Sequence, residues 1–300
     1  MTGSTGPRGA EGETVAVTGA SGHLGRAVVD DLLAHGYQVV ALDRIAPEPA
    51  QAEWVARHHL WTDVTVATVA GLLADCSALI HLAAYPSPMD RPPEVVFGNN
   101  TLATFVALEA AGTVGIRRAV IASSGSAYGT AWSPEPTHPR YVPVDEDHPM
   151  DNAEPYGLSK EVDERTAAAM TRRFGMSVAA LRFHWIAPRD QQLAAIEGQR
   201  GSRDWAEELR NLWGYVDLRD AARACRLAIE RAAVQPYGFV AVNIVAADAL
   251  SEVPIAELIA AHAPDIEVRS ALGPQQGAYA IERAREVIGW TPQHSWRDPA

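Results

Sequence analysis

The sequence predicts an α/β protein: one doubly wound parallel sheet with a small C-terminal substrate-binding cap. Three observations lead there. Short β-branched runs alternate with amphipathic stretches through the first two-thirds of the chain, a glycine-rich turn joins the first run to the first helix, and the alternation stops after Phe183. Strands alternating with helices imply βαβ crossovers, and these demand a parallel sheet.

Residues 1–13 are rich in Gly, Ser, Thr and Pro and lack an apolar stretch, so they read as a disordered lead and not a signal peptide. Thr14–Thr18 is the first strand. Residues 23–35 place Leu24, Val28, Leu32 and Leu33 on one helical face. Strands follow at 37–42, 57–61, 78–82 and 119–123. A long helix over 93–111 opens on a proline, where a missing N–H does no harm. Residues 156–174 are helical and 176–183 form another strand. Beyond them, 188–210 is polar with one short helix near 204–210. Helices at 217–232 and 281–289 flank a strand at 239–245. Residues 14–183 therefore form the main sheet domain. Residues 184–300 are mostly a substrate-binding region, with elements returning to the sheet, over the edge where open α/β sheets take ligands.

Composition narrows the function classes. The apolar share of 47% suits a packed core, and no apolar run approaches the roughly 20 residues that span a bilayer. A net charge of −12 excludes the basic face that nucleic acid or an anionic membrane requires. Two cysteines, Cys76 and Cys225, lie without metal-type spacing, so no metal site and a reduced, cytoplasmic setting are expected.

Gly19-Ala20-Ser21-Gly22-His23-Leu24-Gly25 links the first strand to the first helix. Glycines at 19, 22 and 25 let the backbone turn sharply and approach a pyrophosphate, while the helix N-terminus offers unpaired N–H groups. The spacing is GxxGxxG. Asp43 ends the second strand, 18 residues after Gly25, where an acid binds the adenosine ribose hydroxyls and repels a 2′-phosphate. NAD is therefore favoured over NADP, although Arg44 beside it could pair with such a phosphate. Asp63-Val64 follows the third strand, and Leu82-Ala83-Ala84 the fourth, small enough for a cofactor to lie across the sheet edge.

The chain holds 24 arginines and one lysine, Lys160, within Tyr156-Gly157-Leu158-Ser159-Lys160. An i, i+4 spacing puts Tyr156 and Lys160 on one helix face. With 8 tyrosines in 300 positions, chance would set one there only about 3% of the time. A phenol acting as general base must lose its proton far below its ordinary pKa of about 10, and a close ammonium favours the phenolate. Arginine's rigid fork is a poor substitute for that compact head. Ser123-Ser124-Gly125-Ser126 follows the fifth strand; Ser124 is placed to hold a substrate hydroxyl, with Ser126 a second candidate.

Together these motifs resemble the extended short-chain dehydrogenase/reductase group, the NAD-dependent epimerase/dehydratase family, over about 14–290. The resemblance rests on the glycine loop, Asp43, Asp63-Val64, His81-Leu82-Ala83-Ala84, Asn100 with Thr104, the 123–129 and 156–160 motifs, Tyr215-Val216-Asp217 and Gly289-Trp290-Thr291-Pro292. It implies a Rossmann-type fold, bound NAD, Tyr156 as acid/base, Lys160 as its partner and Ser124 on the reacting hydroxyl. It further implies Asn100 as a structural or cofactor-side residue and a homodimer through the helices at 93–111 and 156–174. His184 would lie beside the nicotinamide, with Pro86, Gly125, Ser126, Trp185 and Arg189 around the substrate.

Three departures carry information. Gly125 and Ser126 stand where the family's dehydratases carry an Asp-Glu pair. Asn211 stands where nucleotide-sugar members place a pyrophosphate-gripping Arg. The LRPxN strand end becomes Leu181-Arg182-Phe183-His184-Trp185. The tryptophan-bearing cap is similar to that of uronate dehydrogenases. The leading reading is an NAD-dependent dehydrogenase of a small sugar, uronic acid or polyol, with Arg182 or Arg189 pairing with a substrate carboxylate. A nucleotide-sugar 4-epimerase using the same triad is the alternative, and a non-catalytic NAD-binding regulator a third.

Overall fold

The computed structural model describes residues 12–46, 57–60, 65–89, 91–199 and 204–299. In the first half, strands β1 (Thr14–Thr18), β2 (Gln38–Asp43), β3 (Arg57–Leu60), β4 (Ala78–His81) and β5 (Arg118–Ser124) interleave with helices α1 (His23–Ala34), α2 (Val66–Leu73) and α3 (Pro93–Thr113). A short 3-10 turn, Gly125–Tyr128, and β6 (Tyr141–Val142) precede α4 (Pro155–Phe174) and β7 (Ser177–Phe183). Then come β8 (Trp185–Ala187), α5 (Arg189–Gly198), α6 (Trp205–Glu208), β9 (Tyr215–Asp217), α7 (Leu218–Val234) and β10 (Phe239–Ile244). The chain ends through α8 (Ile255–His262), β11 (Glu267–Val268) and α9 (Glu282–Ile288).

The central sheet has seven strands in the order β10-β7-β5-β4-β1-β2-β3, every neighbouring pair parallel. Strand order reverses between β1 and β4, and such a switch point opens a crevice at the strands' C-terminal ends. Both faces are covered, so the central strands carry continuous apolar runs. One face packs Val28, Val29 and Leu32 of α1 with Ala221, Cys225 and Ile229 of α7 and Ile288 of α9. The opposite face packs Val69 of α2, Val106 and Ala107 of α3, and Ala167 and Met170 of α4. A third cluster, including Leu212, Trp213, Tyr215, Leu258 and Trp296, forms the cap.

Helix ends follow local chemistry. Glu154 caps α4, its two carboxylate oxygens accepting from the N–H groups of Tyr156 (2.7 Å) and Gly157 (2.5 Å). Asp217 caps α7 by accepting from the N–H of Arg219. The third strand is described over Arg57–Leu60, and Trp61, to which the sequence pattern carried it, lies outside the described residues. The sequence pattern missed α2, α5, α8 and two short strand pairs, β6/β11 and β8/β9, the second joining Trp185–Ala187 to Tyr215–Asp217.

No helix among the described residues is long and apolar enough to cross a membrane. None of their His, Cys, Asp and Glu side chains form a group that could hold a metal.

Candidate active site

A cavity of about 600 Å³ opens at the switch point. Gly19, Gly22, His23, Leu24 and Gly25 line one end; Leu82, Ala84, Pro86, Ser123, Ser124, Tyr156 and Lys160 line its middle. Gly125, Ser126, His184 and Trp185 continue the wall toward the cap.

The glycine loop fits a dinucleotide phosphate. Gly19 adopts φ +70°, and a Cβ there would sit 2.8 Å from the Ala83 nitrogen. At Gly25 a Cβ would meet the Gly19 carbonyl oxygen at 2.0 Å. These two glycines are required by the turn and by the helix packing under it. Helix α1 begins at Gly22 with no side-chain cap and no acid in its first turn. Its first N–H groups and positive dipole end thus face the cavity free for an anion.

Asp43 is fixed at the end of β2: one carboxylate oxygen accepts from the Ser21 N–H at 2.9 Å, the other from the Ile45 N–H at 3.0 Å. The acid is thereby set beside the glycine loop. The Ser21 hydroxyl donates to the Ile45 carbonyl, outside the cavity wall. Arg44 donates to the Tyr85 hydroxyl at 2.7 Å and stacks on its ring. Asp63 and Val64 lie outside the described residues.

Asn100 is a brace and not a cavity residue. It is fully buried, its Oδ1 accepting from the Tyr85 N–H and its Nδ2 donating to the Tyr85 carbonyl and the Ser159 hydroxyl. Every polar atom is spent on protein, which corrects its expected place at the cofactor. Ala83 likewise stays behind the wall, its N–H donating to Thr18 Oγ1 at 3.3 Å. Leu82 N–H donates to the same oxygen, so the Thr18 hydroxyl proton turns to His81 Nδ1 at 2.7 Å. Burial, with the Lys160 charge behind it, pulls His81 down to about 3 and keeps it neutral.

Tyr156 and Lys160 rise from the first turns of α4, the ammonium 5.7 Å from the centre of the phenol ring. Lys160 Nζ donates to the Ala122 carbonyl at 2.9 Å and meets Asp163 Oδ2 at 3.4 Å. Ser124, at the end of β5, accepts from the Ser126 N–H at 3.1 Å, which aims its oxygen beside the turn. Ser123 instead donates to Glu164 at 2.6 Å.

His184 fills the space that side chains at 125 and 214 would occupy. A Cβ on Gly125 would lie 2.6 Å from its Cε1, and one on Gly214 2.7 Å from its Nδ1. The ring packs on Tyr279, with centroids 3.9 Å apart. Burial, reinforced by the nearby Arg182 charge, lowers it to about 3, and its buried Nε2 finds no hydrogen-bond partner among the described residues. It presents a neutral, hydrogen-bonding imidazole.

Neither arginine expected to meet a substrate carboxylate is free to do so. Arg182 is 2% exposed and makes a two-pronged pair with Glu164, both bonds 2.8 Å. Arg189 lies outside the cavity wall and donates to the Asp298 carbonyl. The arginine that does line the cavity is Arg210, paired with Glu207 at 2.8 Å, beside Thr130, Trp132, Asn211 and Tyr279. Sequence reasoning missed Trp132, Glu207, Arg210 and Tyr279, because each sits on a cap or loop segment with no motif around it.

Comparison with known proteins agrees with this geometry. The profile described as "NAD dependent epimerase/dehydratase family" matches residues 15–244. A UDP-glucose 4-epimerase of Mycolicibacterium smegmatis is 36% identical over 159 residues, covering 49% of this chain and 48% of that relative. One from Lacticaseibacillus casei is 26% identical and spans 94% of this chain and 92% of its own length. Among solved structures, MoeE5 in complex with UDP-glucuronic acid and NAD superposes with a TM-score of 0.69 at 25% identity, covering 95% of each chain. With the glycine cradle and the Tyr156–Lys160 pair opening on one cavity, and Asp43 fixed beside the glycine loop, the chain belongs to the NAD-dependent epimerase/dehydratase family of extended short-chain dehydrogenase/reductase enzymes.

Proposed function

We propose that the chain is a nucleotide-sugar 4-epimerase that uses NAD and the residues Ser124, Tyr156 and Lys160. One observation carries the reading: a single cavity runs from the glycine loop past these three residues and on to Trp132, Trp185 and Arg210. It offers a wall for a substrate larger than a free sugar ring. Relatives that align along nearly the full chain are UDP-glucose 4-epimerases, which favours this reading over the small-sugar dehydrogenase. Gly125 and Ser126 leave dehydration without its acid and base.

In this reading Ser124 holds the carbinol hydroxyl and Tyr156 accepts its proton as the carbon is oxidised. Lys160, whose charge faces the phenol ring, favours the phenolate. Bound NAD supplies reversible hydride exchange. Tyr156 then returns the proton to the same oxygen once the sugar has presented its other face, so configuration changes without net oxidation. The neutral His184 and the Glu207–Arg210 pair stand as candidate hydrogen-bonding groups for the sugar.

A free-uronate or polyol dehydrogenase is the second reading, and Asn211 favours it. Its Oδ1 is turned back to accept from the Trp213 N–H at 3.1 Å, so the side chain at position 211 brings no charge to the site. One assay separates the two. Purified protein given UDP-galactose should produce UDP-glucose with no lasting rise in reduced-nicotinamide absorbance. NADH accumulating with free uronates or polyols, and no UDP-sugar conversion, would hand the function to the dehydrogenase.

The working form in this proposal is a homodimer. Helices α3 and α4 leave Val95, Leu102, Phe105 and Leu158 between 39% and 54% exposed, an apolar face suited to a second copy of the chain.

A further inference from the structure

Lys160 and Asp163 are both deep in the molecule, their side chains 4% and 1% exposed. A charge buried this far persists only with a counter-charge, since a lysine desolvated alone sheds its proton. The Ala122 carbonyl that Lys160 also meets is neutral. Other groups around the pair are committed elsewhere or uncharged. On α4, Glu164 is held by Arg182 and Ser123, and the Tyr156 ring stands 5.7 Å from the ammonium. On β4, His81 is neutral, and from α3 the hydroxyl of Thr104 faces Asp163. Asp163 Oδ1 has no hydrogen-bond partner among the described residues, so the carboxylate is oriented by Lys160 together with the Thr104 hydroxyl.

We propose that Asp163 is a positioning residue whose buried carboxylate keeps Lys160 an ammonium ion and ties it to the helix face shared with Tyr156. This rests on the reading of Lys160 as the partner of Tyr156. Burial raises the Asp163 carboxyl to about 6 while the Lys160 charge opposes the rise, so the carboxylate is ionised at neutral pH.

The chain's single lysine makes the test direct. Protein grown with lysine labelled with ¹³C at Cε gives one lysine side-chain resonance, whose shift follows the ammonium without substrate or cofactor. In Asp163→Asn its midpoint should fall by about two pH units or more, the scale seen for buried lysines. Asp163→Glu should restore most of the loss. Turnover of Asp163→Asn should fall at least about tenfold at alkaline pH and recover as the pH is lowered. The wild-type signal alone should show a second inflection near pH 6 as Asp163 protonates, which keeps the test decisive if the Asn variant does not fold. An unchanged midpoint in the folded variant, or no such inflection, would overturn the proposal. A protein that converts no UDP-sugar yet shows both shifts would sink the epimerase reading and leave this one standing.

Discussion

Lys160 illustrates how a single side chain is constrained from three directions: the Ala122 carbonyl on β5, Asp163 one turn on, and the Tyr156 ring at 5.7 Å. A guanidinium is planar and wider than an ammonium, so it cannot keep all three. Lys160→Arg should lower turnover roughly a hundredfold or more, the scale of general acid–base catalysis, while the thermal midpoint stays close to wild type. Tyr156→Phe should abolish turnover and leave NAD affinity within about threefold, because the groups proposed to grip the cofactor, the glycine loop and Asp43, lie at its far end. Near-normal rates in Lys160→Arg would remove the triad assignment. Both residues were legible in the sequence because a helix fixes what lies four positions apart. Arg182 was legible only as a cation. Its partner Glu164 is 18 positions away, and only the β7–α4 packing brings the two to 2.8 Å, which is why it was misread as a substrate contact.

At the scale of elements, the end of β2 is the proposed determinant of cofactor choice. Asp43 is held by two backbone N–H groups, one of them in the glycine loop itself, and cannot swing away from a phosphate on the ribose. NAD⁺ should therefore bind about tenfold or more tightly than NADP⁺, a difference of roughly 1.4 kcal/mol that isothermal titration resolves. Equal affinities would mean that Arg44 leaves Tyr85 to meet the phosphate. The strands and helices of the sheet, α2 apart, were readable because burial on both faces writes long apolar runs and helical periodicity into the chain. The cap was not. Helix α5, Arg189–Gly198, is largely polar and buries only Gln192 and Ile196, and β8 and β9 are three residues each, too short for alternation to register. Asn100 was left between a structural and a cofactor-side role for a related reason: a buried amide that braces two segments looks, in sequence, like one that meets a ligand.

For the molecule as a whole, the exposed apolar residues of α3 and α4 predict assembly. Sedimentation should give twice the 32.2 kDa chain mass, and Leu102→Glu with Phe105→Glu should shift it to the monomer without loss of helix content. A wild-type monomer at micromolar concentration would rule the interface out. The path of the chain has a different consequence. After building the cap, it returns to add β10 beside β7, and α7 to cover α1, with Arg226 reaching Asp31 at 2.7 Å. Cap and sheet are thus stitched together twice and are not beads on a string. Recombination between relatives that cut once, after Phe183, would set the fully buried β7 of one parent against the β10 of the other, and α1 against a foreign α7. Chimeras that exchange specificity should instead trade two inserts, residues 184–217 and 245–280, and leave α7 and β10 with their native sheet.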